Sequence, residues 1–231
     1  MTITVITGGN KGLGYEAARR LIDVGHTVYL GARDAERGSS AAEELGARFV
    51  HLDVADDASV SAAAAEIEQR EGHVDVLINN AGVADAMLPP EDVTASAMHD
   101  VYTVNVFGIV RMTHAFLPAL RAAESPVIVN VSSGLGSFGV VTDPERFESR
   151  FATVVYGSSK AAVDMLTVQY AKALPDIRIN AVDPGYTATD INANSGHQTV
   201  TEGTDAIVRL ATIGPDGPTG TLSDRHGPLP W

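Results

Sequence analysis

Short β-branched runs alternate with alanine-rich helical stretches along this chain, and no other feature of it narrows the choice of fold as far. The strand candidates lie at 3–6, 27–30, 48–52, 74–78, 127–131 and 178–182. Most are apolar at nearly every position, as a strand must be when both of its faces are covered. Between them the spacing predicts helices at 12–24, 35–45, 57–70, 98–123 and 154–174, with Asp34, Asp56 and Thr94 as caps. This alternation implies βαβ units with right-handed crossovers. The expected fold is therefore α/β, a doubly wound parallel sheet with helices on both faces. Pro175 and a Gly/Pro-rich tail at 214–230 punctuate the last third without marking off a domain. A length of 231 residues suits one domain spanning 1–231.

Composition removes several classes of function. The chain has no cysteine, which excludes disulfides, thiol nucleophiles and Cys-ligated metals, and no metal site is expected. Met1 leads straight into Ile3-Thr4-Val5-Ile6 with no basic segment or long apolar stretch ahead of it. The expectation is a cytoplasmic protein without a signal peptide or membrane span. The net charge of −13 opposes nucleic acid and anionic membranes as partners. A small phosphorylated ligand stays compatible, because local amides and one or two cations override the mean field.

The first strand runs into Thr7-Gly8-Gly9-Asn10-Lys11-Gly12-Leu13-Gly14 and then a helix. Glycines let the backbone turn tightly and approach a diphosphate, whose charge rests on helix N-terminal amides. The spacing from Gly8 through Gly12 to Gly14 is one residue longer than the common dinucleotide fingerprint, but its strand–helix context points to the same Rossmann-type cofactor fold. Arg33 stands at the end of the second strand, where an acid would hold ribose hydroxyls; a guanidinium instead suits a 2′-phosphate. Lys11 is a candidate second cation for that pocket, and Asp34 is either a ribose contact or a helix cap. The charge logic favours NADP(H), with NAD(H) possible. Asp53, with Val54 beside it just past the third strand, is a candidate adenine contact or a cap-region acid.

Tyr156-Gly-Ser-Ser-Lys160 puts a phenol and an ammonium one helical turn apart. A neighbouring cation favours the phenolate. A lowering of roughly three pH units, worth ~4 kcal/mol, would make Tyr156 a usable acid or base near neutrality. Alone the spacing is weak, since a half-buried Tyr beside a solvated Lys arises often by chance.

These residues, with others in the same order, resemble the short-chain dehydrogenases/reductases over nearly the whole chain. The glycine loop is similar to that family's nucleotide motif, and Asn79-Asn80-Ala81-Gly82 to its motif after the fourth strand. Ile128-Val129-Asn130-Val131-Ser132-Ser133 resembles the strand that ends in the catalytic serine, with Ser133 aligning. Asn105 falls at the structural and catalytic Asn, and Tyr156 with Lys160 at the catalytic pair. Asp183-Pro184-Gly185, with Thr187 and Thr189, resembles the loop on the nicotinamide side.

The resemblance implies hydride transfer between a nicotinamide and a carbonyl carbon. Tyr156 would protonate the oxygen and Ser133 would hold it. Lys160 would lower the Tyr156 pKa and contact the ribose. Asn105 would bend its helix and hold a relay water. Cofactor contacts are implied at Gly8, Asn10, Lys11, Gly12, Leu13, Gly14, Arg33, Asp53, Val54, Asn80, Ala81, Gly82, Tyr156, Lys160, Pro184, Gly185, Thr187 and Thr189.

The finer likeness is to carbonyl-reductase-like members, which implies NADPH-dependent reduction of a small ketone or aldehyde to the alcohol. A carrier-protein or polyketide ketoreductase and a non-catalytic nucleotide sensor are the alternatives. A segment at 134–153, longer than in the plainest members, is expected as a short helix or lid near the substrate mouth. It leaves both a homo-oligomer and a monomer open. The small, polar stretch at 191–201 is expected to form an open or flexible rim.

Overall fold

The apolar runs become the inner strands of one sheet because they bury both faces. The computed structural model describes residues 1–84 and 88–231. In chain order these hold β1 (Ile3–Thr7), α1 (Gly12–Asp23), β2 (Thr27–Ala32), α2 (Ala35–Leu45), β3 (Arg48–His51), α3 (Asp57–Glu71) and β4 (Val76–Asn79). They continue with α4 (Ala95–Asn105), α5 (Phe107–Arg121), β5 (Val127–Val131), α6 (Phe138–Val141), α7 (Val154–Ala173) and β6 (Arg178–Val182). The last elements are α8 (Val200–Gly203), α9 (Asp205–Ala211), β7 (Leu222–Asp224) and β8 (Gly227–Leu229). The sheet order is β3-β2-β1-β4-β5-β6-β7-β8, parallel throughout except for the last pair. After β3 the chain crosses to the far side of β1, so the switch in strand order falls between β1 and β4. Ligands of open α/β sheets bind at that place, beyond the carboxyl ends of the strands.

Successive strand residues serve opposite layers, which explains why the runs do not alternate with polar residues. Val5, Tyr29 and Leu77 face a core with Ile67, Met112 and Phe116. Ile6, Leu30 and Ile78 face the other, with Ala17, Leu21 and Ile207. All three predicted caps form: Asp34 accepts from the Arg37 amide, Asp56 from Ala58 and Thr94 from Ala97. Asp56→Ala is expected to cost about 1 kcal/mol in urea unfolding, because it removes the side chain that accepts from the first turn of α3.

Three expectations need correction. The helix at 98–123 is two helices, α4 from Ala95 and α5 from Phe107, with Val106 between them at φ −108°, ψ −59°. Apolar periodicity runs through the break because both helices bury a face, so the pattern does not register the change of axis. The strand at 74–78 is shifted to Val76–Asn79, because the Val74 amide bonds the Ala119 carbonyl instead of a strand. The tail is more than punctuation: β7 extends the parallel sheet from β6, and β8 returns antiparallel along it. These strands are three residues each, too short for a period-2 signal amid glycines and prolines.

Candidate active site

The cofactor half is built by β1, the glycine loop and α1. Gly8 turns the chain at φ +64°, a left-handed conformation that side chains disfavour. A methyl group on Gly14 would lie 2.6 Å from the Gly8 carbonyl oxygen, so the loop folds back on the first turn of α1 at a distance only glycine allows. The Asn80 side chain fixes this arrangement by donating to the carbonyls of Thr7 (2.9 Å) and Gly8 (3.1 Å). The Thr7 hydroxyl in turn accepts from the amides of Asn80 and Ala81, at 3.0 and 2.9 Å. At the start of α1, Lys11 offers no side-chain cap, which leaves the first amides of the helix available to an anion.

These walls enclose a cavity of about 480 Å³. Of the expected cofactor residues, Gly8, Asn10, Lys11, Gly12, Leu13, Arg33, Asp53, Val54, Asn80, Ala81, Gly82 and Thr189 line it. Gly14 lies behind the loop. Pro184, Gly185 and Thr187 are not on this wall; the Thr187 hydroxyl donates to the Pro184 carbonyl at 2.9 Å. A glycine cradle, uncapped helix amides and a long cleft fit a dinucleotide.

Charges around the cleft sort themselves. Asp34 is committed to α2: its carboxylate accepts from the Arg37 amide at 3.0 Å and pairs with the Arg37 guanidinium at 3.4 Å. Arg33 is exposed on the cavity wall and has no ion pair among the described residues. Lys11 is drawn across the cleft to Asp190, 2.7 Å away, instead of standing free beside Arg33. Asp53 accepts from the Ala55 amide at 2.9 Å and still borders the cavity.

The second half of the site gathers where β5, β6 and α7 meet. The Ser132 amide bonds the Val182 carbonyl at 2.7 Å, joining the ends of β5 and β6. Ser133 caps the turn Gly134–Gly136, accepting from Leu135 at 3.2 Å, and its hydroxyl faces the Tyr156 phenol. Lys160 is buried one turn beyond Tyr156, with Nζ donating to the Val131 carbonyl at 2.8 Å and lying 5.5 Å from the Tyr156 ring centre. The Asn105 side chain bridges the two halves. Its oxygen accepts from Val83 at 2.8 Å, and its nitrogen donates to the Val83 carbonyl at 2.9 Å and to Ser159 at 3.0 Å. A methyl on Gly82 would sit 3.4 Å from Asn105 Oδ1 and 3.6 Å from Lys160 Nζ, so the cavity wall reaches the lysine.

Burial dominates the electrostatics. It holds the Tyr156 phenol well above its ordinary pKa, the Asp183 carboxylate adds to that rise, and the Ser133 hydroxyl opposes it. Burial also pushes Lys160 down to about 8, against the attraction of Asp164 and Asp183. The expected lowering of Tyr156 by Lys160 is therefore reversed in direction. The sequence shows the i, i+4 spacing but not the loss of water around both groups or the acid across from them.

Other features were not anticipated. The rim at 191–201 is ordered by hydrogen bonds: Asn192 donates to the Thr187 carbonyl at 2.8 Å, and the Tyr186 and Ser195 hydroxyls pair at 2.5 Å. The insert at 134–153 forms the short α6 and a 3-10 turn at Phe147–Arg150. Thr7 and Asp190 also belong to the cofactor half. Thr7 stood in the glycine motif, whereas the reach of Asp190 to Lys11 spans 179 residues and leaves no local signal.

No helix is long and apolar enough to cross a membrane, and no cluster of three metal-ligating groups occurs, both among the described residues. The short chain dehydrogenase family model matches residues 2–200. A (+)-neomenthol dehydrogenase of Capsicum annuum is 31% identical, over 96% of this chain and 95% of its own length. That alignment runs to 299 positions against 231 residues here, so the plant protein carries segments this chain lacks. A Penicillium roqueforti short-chain dehydrogenase, anuI, is 34% identical over 98% of this chain and 95% of its own. An NADPH-bound carbonyl reductase from chicken fatty liver superposes with a TM-score of 0.86 at 27% identity, covering all of both chains. A family match over most of the length, with relatives above 30% identity end to end, makes this chain a member of the short-chain dehydrogenase/reductase family of oxidoreductases.

Proposed function

We propose that the protein reduces a small, moderately apolar ketone or aldehyde to the alcohol with NADPH, reversibly. The observation that carries this reading is the meeting of Ser133, from the end of β5, with Tyr156 of α7, one turn before a Lys160 that lies against Gly82 on the cofactor cavity wall. When bound, the nicotinamide cofactor supplies the hydride for the carbonyl carbon. Gly8, Gly12 and the α1 amides would hold the diphosphate, and Arg33 would hold the 2′-phosphate. Tyr156, kept protonated by burial, donates its proton to the oxygen as charge develops there. Ser133 donates a hydrogen bond to that same oxygen, and the Lys160 ammonium stabilises the phenolate left behind. Asn105 holds the Val83 main chain and Ser159, which keeps the lysine end of α7 in register with the cavity wall.

The insert at 134–153 would form the substrate mouth. Phe147 and Phe151 pack edge to face at 4.8 Å, and Phe147 lies 6.1 Å from Tyr186, giving an apolar rim. A carrier-protein substrate is less well supported, because Arg146 is turned towards Glu148 at 3.8 Å. A panel of free carbonyl compounds, assayed by NADPH and NADH oxidation, tests the reading. Turnover confined to carrier-bound acyl groups, or absent with every carbonyl, would sink it.

A further inference from the structure

Asp164 follows Lys160 by one turn of α7, so Tyr156, Lys160 and Asp164 stand on one stripe of the helix. It is an acid in a place that ordinarily excludes acids: its residue exposure is 5%, and neither carboxylate oxygen has a hydrogen-bond partner in good geometry among the described residues. The nearby Ser132 hydroxyl donates to the Lys160 main-chain carbonyl at 3.3 Å. A buried carboxylate without a partner is costly, and a neutral residue of the same size would avoid the cost. Among the described residues Asp164 makes no direct ion pair, and its field favours the charged form of Lys160.

We propose that Asp164 is a positioning residue, the buried counter-charge that keeps Lys160 an ammonium donating to the Val131 carbonyl. Two charged groups face Lys160: Asp164 from its own helix and Asp183 from the end of β6. Asp183 is already engaged by the amides of Gly185, at 2.9 Å, and Gly134. Asp164 has no main-chain amide of this kind on it among the described residues; the Ser132 hydroxyl lies near its carboxyl without forming a bond of good geometry, and it faces Lys160 and Asp183. Burial raises its carboxyl to about 7 and lowers Lys160 to about 8, so between those two values the anionic carboxylate and the ammonium are each the majority form. The counter-charge is thus present where the lysine needs it. The proposal rests on the functional reading above only for its effect on turnover.

The chain has three lysines, Lys11, Lys160 and Lys172, so protein labelled with 13C at the lysine ε-carbon gives three signals, and Lys160→Arg assigns the buried one. In Asp164→Asn the titration midpoint of the Lys160 signal is expected to fall by about one pH unit, and in Asp164→Glu to stay near the wild-type value. Asp164→Ser, neutral and smaller, should repeat the fall if the Asn variant folds poorly. The alkaline limb of kcat/KM for carbonyl reduction should move down with the midpoint. An unchanged midpoint in the neutral variants overturns the proposal. A shifted midpoint in a protein that reduces no carbonyl keeps it and overturns the functional reading instead.

Discussion

Tyr156→Phe is expected to lower kcat/KM for carbonyl reduction by about 10²–10⁴-fold while leaving NADPH binding largely intact. The substitution removes one hydroxyl from a buried ring and leaves the shape of α7 and the cavity unchanged. Burial and Asp183 keep the phenol protonated through the neutral range, so under the proposed mechanism reduction would start with that proton in place. Alcohol oxidation by the proposed mechanism would run through the phenolate, and its rate should therefore climb with pH where reduction does not. Steady-state rates in both directions, with NADPH affinity from fluorescence titration, measure these effects. A Phe variant that keeps most of its reductase activity would remove Tyr156 from the chemistry.

Arg33→Asp should weaken NADPH binding by about 10–100-fold and leave NADH binding much less changed. Arg33 is the cavity-wall cation without a partner among the described residues, whereas Lys11 is held by Asp190 and Asp34 is spent on α2. A carboxylate at position 33 replaces a phosphate-binding group with a repelling one. It would also resemble the acid that binds ribose hydroxyls in NAD-dependent relatives of the fold. Dissociation constants for the two cofactors decide the matter. Equal losses for both would mean that Arg33 does not read the 2′-phosphate.

The legibility of this chain depended on how local each determinant was. The glycine loop, Asn80, Ser133, Tyr156 and Lys160 were readable because each lies in a short motif whose geometry follows from one turn, strand end or helix face. Asp34, Asp56 and Thr94 were readable as caps for the same reason. The break at Val106 was not, since burial on both sides preserves the periodicity through it. The charge states in the site were misread because they depend on groups remote in sequence: Asp183 acts on Tyr156 across 27 positions, and dehydration of the pair appears only after folding. Asp164 had a local signal, an acid four residues past Lys160, but its burial gave it meaning.

The end of the chain has a consequence for motion near the serine. Ser137 donates to the Pro230 carbonyl at 2.7 Å, and the Gly139 amide bonds the Trp231 carbonyl at 2.7 Å. The last residues after β8 are thereby fastened to α6, four to six positions beyond Ser133. Local opening of one should drag the other, making the β7–β8 ribbon and α6 one cooperative unit in amide hydrogen exchange. Protection of Gly139 would then rise and fall with that of β8, although some ninety residues of chain separate them.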